Sequence, residues 1–490
     1  MNRRLLSAIF VMIPVLSLSS CSGSHHVITC SGATCINNNG TVSIVLTATP
    51  PDPNSQLSIQ AFTATITGIT LTSTGGSSVN AQLNTAAYIA EFNRVTSDST
   101  ILVDGAAVPA DTYTQVKINF SAPRVTFCTQ TNSGVPGCAV GTLTSVSGSA
   151  GSATASINLS LGVNQRTGLA INVNLGNSLT LNNQTVTAVN FGAANVFAVA
   201  TLPPAATATD LITGELSHID DVMGVVSSVV SSAGFSRLTI HTTTRGDILA
   251  TANSSTQFST ACATQDFSCV QTNAVAIVDT VLNADGTFTL VYYRPLFSTS
   301  TDLIEGVVTD VPNSVTNQLT LVATDSVFAS SGSKLNGQLN IGDQVTVTLA
   351  TSQPFTIVSK DLNVPANSFS NSTSISSVQP GQTVLFFPSN FSAQSGTTPG
   401  SSTTNTFALR FTRVSAIAAS SSSPTFNATT FPPFFGQATA KQFQTTSGRL
   451  SLDGIAVLGS LPVGNTFSAT ALFIDPTITP TFAAQTIRAH

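Results

Sequence analysis

Apolar and polar residues alternate with a period of two through much of the chain. Val116, Ile118 and Phe120 alternate with Gln115, Lys117 and Asn119, and Leu169, Ile171, Val173 and Leu175 alternate with Ala170, Asn172 and Asn174. The same beat returns at Val345, Val347 and Leu349, and at Phe407, Leu409 and Phe411. A strand points successive side chains to opposite faces, so the pattern predicts strands with one face on a core. Turn-forming clusters separate the runs: Pro50-Pro51-Asp52-Pro53-Asn54, Gly75-Gly76, Pro136-Gly137, Asp285-Gly286 and Pro380-Gly381. Asn283-Ala284-Asp285-Gly286 reads as a hairpin turn, because a calcium loop would need a carboxylate further on. One short helix of a turn or two is expected within residues 85–94. Ser/Thr-rich stretches at 370–377, 395–405 and 418–423 read as loops or linkers. The fold class is all-β.

Composition narrows the chemistry. Only 8% of the residues are charged, about a third of the ordinary share, and 42% are hydrophobic. Hydroxyls and amides fill the gap, which suits a folded extracytoplasmic β protein better than a disordered one. A net charge of −5 over 490 residues offers no basic field for nucleic acid. Trp is absent and there are four Tyr, so aromatic platforms for sugars are few. No G-x-S-x-G elbow, H-E-x-x-H, Walker loop or G-x-G-x-x-G is present. His218 and His241 are the only histidines outside the first 40 residues and the last position, and both read as strand histidines. Asp220, Asp221, Asp302 and Glu305 are the carboxylates considered for glycosidic chemistry. The first two are adjacent, which on a regular strand points them to opposite faces, and they read as part of a linker. The sequence thus indicates no catalytic residue, no metal site and no cofactor.

The N-terminus says where the protein works. Asn2, Arg3 and Arg4 precede an apolar run at 5–18, too short for a stable bilayer span, and Leu18-Ser19-Ser20-Cys21 follows. This junction resembles the lipobox of bacterial lipoproteins. The resemblance implies a signal peptide at 1–20, acylation of the Cys21 thiol, and attachment to a membrane through lipid. Ser22, in place of an acidic residue, implies sorting to the outer membrane or cell surface. Residues 21–40 then read as a flexible tether. The other six cysteines fall into sequence-local pairs, Cys30/Cys35, Cys128/Cys138 and Cys262/Cys269. Local disulfides agree with an oxidising compartment; buried free thiols are the alternative, and no pair matches a zinc spacing.

Two further resemblances organise the rest. The stretch Val108-Pro109-Ala110-Asp111-Thr112-Tyr113-Thr114-Gln115-Val116-Lys117-Ile118 and the later Thr167-Gly168-Leu169-Ala170-Ile171-Asn172-Val173 resemble segments of an uncharacterised bacterial lipoprotein family. That likeness implies a β-sandwich, immunoglobulin- or transthyretin-like and of the carbohydrate-binding kind, over 41–204. Gly224-Val225-Val226-Ser227-Ser228-Val229 and Gly306-Val307-Val308-Thr309-Asp310-Val311 are near-copies. With the Gly342-Asp343-Gln344-Val345 turn-and-strand, echoed at Gly381-Gln382-Thr383-Val384, they resemble a second uncharacterised family of small oligonucleotide-binding-like barrels. The expected units are a barrel at 213–300, a second at 301–365, and a further β-barrel or β-rich unit with Ser/Thr-rich loops at 366–490.

The functional expectation is a lipid-anchored envelope protein with a non-enzymatic structural, adhesive or binding role. A carbohydrate- or polymer-binding module is the alternative, and an unrecognised enzyme the second alternative. Exposed strand edges in a low-charge sheet predict self-association, and a carbohydrate or protein ligand remains open as a partner.

Overall fold

The computed structural model describes residues 38–490 apart from 132–133, 202–217, 233, 283–287, 312–316, 350–355, 362–377, 437–440, 446–450, 454–457 and 475–480. The fold is all-β, with several small closed barrels following a two-sheet unit.

In the first unit, a four-stranded sheet runs in the order Phe197–Thr201, Arg166–Asn174, Asn39–Thr49, Thr100–Pro109. A six-stranded sheet is built around the long strands Ser58–Ser73 and Asp111–Cys128. Both sheets send side chains into one core. The period-two reading holds residue by residue: Val116, Ile118 and Phe120 are buried while Gln115 and Lys117 are exposed. Phe191 anchors the core, its ring centroid 5.5 Å from Phe62, 5.2 Å from Phe92 and 5.6 Å from Phe120. Each such pair adds about 0.5–1.5 kcal/mol beyond its buried area.

The short helix lies later than expected, at Arg94–Ser97, because residues Tyr88–Glu91 form a strand. Tyr88 and Ala90 point inward and the strand pairs with Thr63 to Ile66. The Glu91 carboxylate then accepts the backbone N–H groups of Phe62, Asn93 and Arg94 at 3.0, 3.3 and 2.8 Å, which starts the helix.

Three five-stranded barrels follow. The strands of barrel 1 are His218–Ser232, Phe235–Thr242, Gly246–Ala252, Val275–Leu282 and Phe288–Phe297. Those of barrel 2 are Leu303–Asp310, Gln318–Val327, Gln344–Leu349, Thr383–Ser392 and Gly400–Arg410. Barrel 3 uses Thr412–Ala418, Thr425–Thr429, Lys441–Thr445, Thr466–Phe473 and Phe482–Ala489. In each, the spatial order is third, second, first, fourth, fifth, and the fifth strand pairs back onto the third in parallel to close the sheet. This is the strand order of the oligonucleotide-binding type of barrel, and closure removes the free edges of these sheets. A short extra strand lies beside the fifth in every copy.

Backbone hydrogen bonds set the three barrels in register. The Val226 N–H donates to Ala274 O (2.8 Å) and the Asn273 N–H to Val226 O (2.8 Å). The same reciprocal pair joins Val308 to Gln382 and Gly381 at 2.9 and 2.8 Å, and Ala418 to Asn465 and Gly464 at 3.0 and 2.8 Å. Gly224, Gly306 and Ala416 are therefore equivalent. A Cβ on Gly224 would lie 2.3 Å from His241 O, and one on Gly306 2.6 Å from Val322 O, so the first two barrels require glycine. In barrel 3 the second strand pairs with the first only at Ile417 and Ala418, and this frees room for the Ala416 side chain.

Two expectations are corrected here. Barrel 2 does not end at 365: its fourth and fifth strands carry it to Arg410, and the Gly381 element that echoes Gly342 leads into the fourth strand of the same barrel. The Ser/Thr-rich stretch at 395–405 is only partly a loop, since the strand Gly400–Arg410 begins inside it and buries Ser402 and Thr404.

Candidate functional site: a buried ionic junction

The pleat that fills each barrel with apolar side chains turns the alternate residues outward, and at one place those residues are charged. Asp221 and Asp279 come from the first and fourth strands of barrel 1. Glu305 and Arg410 come from the first and fifth strands of barrel 2, Lys360 from a turn of the same barrel, and Arg413 from the first strand of barrel 3. Arg94 enters from the helix of the first unit. The neighbours inside the barrels, such as Val222, Val278, Ile304, Leu409 and Val414, are all buried apolar.

Asp221 is the centre. Its Oδ1 lies 3.2 Å from Lys360 Nζ and 3.4 Å from Arg410 Nη2, and its Oδ2 lies 3.2 Å from Arg413 Nη2. The Asp221 carbonyl accepts a hydrogen bond from Arg94. Lys360 Nζ reaches Asp279 Oδ1 at 2.7 Å, and Arg410 Nε reaches Glu305 Oε2 at 2.9 Å. Asp325, on the second strand of barrel 2, binds Arg94 at 2.6 Å and Arg245 of barrel 1 at 3.2 Å. Arg488, on the last strand of barrel 3, donates to the Val95 carbonyl at 2.9 Å. The side chains of Lys360 and Arg410 are 0% exposed and that of Asp221 is 1% exposed. Taking such groups out of water costs several kcal/mol per ion, so only mutual pairing makes the arrangement tenable.

The electrostatics follow from burial and neighbours. Burial pushes the Asp221 carboxyl up, but Lys360, Arg410, Arg413 and Arg94 outweigh it and hold that carboxyl well below the usual range. Burial, helped by the charge of Asp279, pushes Asp220 well above it. Burial likewise raises Asp98, and raises Glu91 to about 7 despite its three N–H donors. For Lys360, burial would lower the ammonium, yet Asp221, Asp279 and Asp220 raise it. A cavity of about 40 Å³ beside the junction is lined by Glu91, Arg94, Glu305, Arg413, Thr324 and Phe434. It has room for a few water molecules. A neighbouring cavity of about 70 Å³ shares Ile59, Asn93, Arg413 and Phe435 with it and opens past Pro50, Pro53 and Pro432.

The first unit docks on all three barrels through equivalent turns, those between second and third strands. Each carries a glycine at positive φ: Gly246 (74°), Gly342 (92°) and Gly436 (82°). A Cβ there would lie 2.9 Å from Asn84 O, 3.3 Å from Thr126 Oγ1 and 3.4 Å from Pro136 respectively. Arg124 adds an ion pair to Asp343 at 2.8 Å. The loop closed by the Cys128–Cys138 disulfide reaches between barrels 2 and 3, with the Gly137 N–H donating to Phe434 O (2.8 Å) and the Cys138 N–H to Thr309 O (3.2 Å).

The residues picked from sequence fare differently. Leu18, Ser19, Ser20, Cys21, Cys30 and Cys35 lie outside the described residues. Cys128–Cys138 and Cys262–Cys269 are disulfides with Cα separations of 5.5 and 5.6 Å. Asp220 and Asp221 are not in a linker: they sit on the first strand of barrel 1, at a bulge where Asp221 takes φ 55°, which turns this stretch into the junction. Glu305 joins the same junction, whereas Asp302 accepts the N–H groups of Ala329 and Lys334 at 2.8 and 2.6 Å and holds a loop. His218 begins a strand, and His241 is exposed with its Nδ1 2.7 Å from Asp247. Arg94, Asp279, Asp325, Lys360, Arg410, Arg413 and Arg488 escaped sequence reasoning. The available signal was a charge set inside an apolar strand run, as in Leu409-Arg410-Phe411, in a chain with few charges. No family model matches the sequence, and no curated protein is significantly similar to it.

Proposed function

We propose that this chain is a lipid-anchored protein of the bacterial cell envelope, held through Cys21 and serving as a non-enzymatic structural, adhesive or binding element. The observation that carries the reading is the Leu18-Ser19-Ser20-Cys21 junction behind a basic start and a short apolar run. Two disulfides in the body are consistent with an exported location. A junction that spends so many buried charges on fixing four β modules together is what a rigid extracellular spacer needs. The test is incorporation of labelled palmitate in cells. Wild type is expected to carry label and to pellet with membranes, and Cys21→Ser to lose both; an unlabelled wild type ends the proposal.

Carbohydrate binding is the second reading. It is favoured by Phe235, 41% exposed on barrel 1 with the Arg237 guanidinium 5.3 Å from its ring centroid. A glycan array with the whole chain, compared with Phe235→Ala, distinguishes it: binding lost with the ring supports a sugar platform, and no binding by wild type excludes one.

A further inference from the structure

The most unusual pair in the junction is Lys360 and Asp279. Both side chains are shut off from solvent, at 0% and 5% exposure, and Nζ lies 2.7 Å from Oδ1. They come from different barrels. Asp279 is fixed on the fourth strand of barrel 1, and its Oδ1 also accepts the Asp221 backbone N–H at 2.9 Å. Lys360 is held in a turn of barrel 2, with Nζ also 3.2 Å from the Asp221 carboxylate and 5.9 Å from the Phe411 ring centroid. We propose that Lys360 and Asp279 condense into an amide, a covalent staple between barrel 1 and barrel 2 that the protein forms in its own interior.

The chemistry needs nothing beyond the residues present. An ammonium and a carboxylate become a secondary amide and one water, with no change in net charge and no oxidant or reductant. Nζ first gives a proton to a neighbouring carboxylate, and its lone pair then forms the bond to Cγ of Asp279. The C–O bond to the departing oxygen breaks, and that oxygen leaves as water carrying the two protons lost from Nζ. Asp221 is placed to take a proton, since its Oδ1 lies 3.2 Å from Nζ. Asp221 then passes that proton to the departing oxygen, and the second Nζ proton follows the same route. The Asp221 N–H polarises the carbonyl under attack. Reacting groups held within hydrogen-bond distance gain the large advantage of an intramolecular reaction. The product is favoured because a neutral amide replaces two buried charges whose desolvation is costly, and the water released can leave.

This proposal does not depend on lipid anchoring. The test is peptide mapping of the full-length chain after reduction, denaturation and proteolysis. A branched peptide joining the segments of Lys360 and Asp279, lighter than their sum by one water, is the expected result. It should disappear in Asp279→Ala. Recovery of both segments as separate linear peptides, with Lys360 open to acetylation in denaturant, overturns the proposal, as does a branch from Lys360 to any other carboxyl. The wild-type measurement decides the matter even if the variant does not fold.

Discussion

The interior of barrel 3 and the junction it helps to close are packed from opposite materials. Inside, Phe443 lies against Phe426, Phe467 and Phe482, with ring centroids 5.0, 5.3 and 4.6 Å away. Outside, Arg413 of the same barrel meets Asp221 at 3.2 Å, both side chains largely buried. Burial of apolar surface is non-directional, so many ring arrangements would satisfy the barrel. Buried ions are satisfied only when each meets its partner. The barrel interiors therefore make each module fold, and the junction makes one placement of the modules better than all others.

The largest effect that would break this contrast is expected at Asp221. Asp221→Ala leaves Arg410 and Arg413 short of an anion in a buried site, at a cost of about 3–5 kcal/mol. Denaturant unfolding should show the loss, with hydrogen exchange rising first at the module contacts. A cost below about 1 kcal/mol would mean that the junction is passive. Next comes the clamp between the first unit and barrels 2 and 3. Removing Cys128–Cys138 by the double serine substitution should cost about 2–4 kcal/mol, with exchange appearing around Thr309 and Phe434 before the first unit opens. Inside barrel 3, Phe443→Leu should cost about 1.5 kcal/mol and leave docking intact, because a ring can be replaced by another apolar group.

Proton linkage sharpens the comparison. The folded-state value of Glu91 is raised to about 7, so the native protein binds this proton more tightly than the unfolded chain. Its contribution is complete below the unfolded carboxylate range, near 4.3, and is lost as pH rises through 7. His490 has the opposite sign: burial, with Arg488 close by, lowers it to about 3. Its contribution is complete above the unfolded range, near 6.5, and is lost as pH falls toward 3. Stability measured from pH 5 to 8 should lose its Glu91 slope in Glu91→Gln. The smallest effect belongs to a polar pair left in water. His241 and Asp247 are 59% and 58% exposed, and His241→Ala should change stability by less than about 1 kcal/mol.

Much of the architecture could be read from the chain. Alternation at Val116 to Phe120 and the repeated Gly-Val-Val openings announced strands and at least two small barrels. The third copy was legible only as a further β-barrel or β-rich unit, because Ala416 stands where the others need glycine, and a second strand paired over only two residues accommodates it. The extent of barrel 2 hid because its long insertions carry as much Ser and Thr as its later strands do. The junction was the least legible part. Its members are spread from residue 94 to residue 488, in unrelated local sequences, so only the closed barrels bring them together. Asp220 and Asp221 were visible, but a bulge decides where they point, and a bulge leaves no period in the sequence.

Among the described residues a large share of the charged side chains are buried, and many of these face one another. Dissolved salt acts on charges that water can reach, over a screening distance of about 8 Å at physiological strength. The outer surface, dressed mainly in hydroxyls and amides, gives it little to act on. A body made this way keeps its outline in dilute medium and in brine alike.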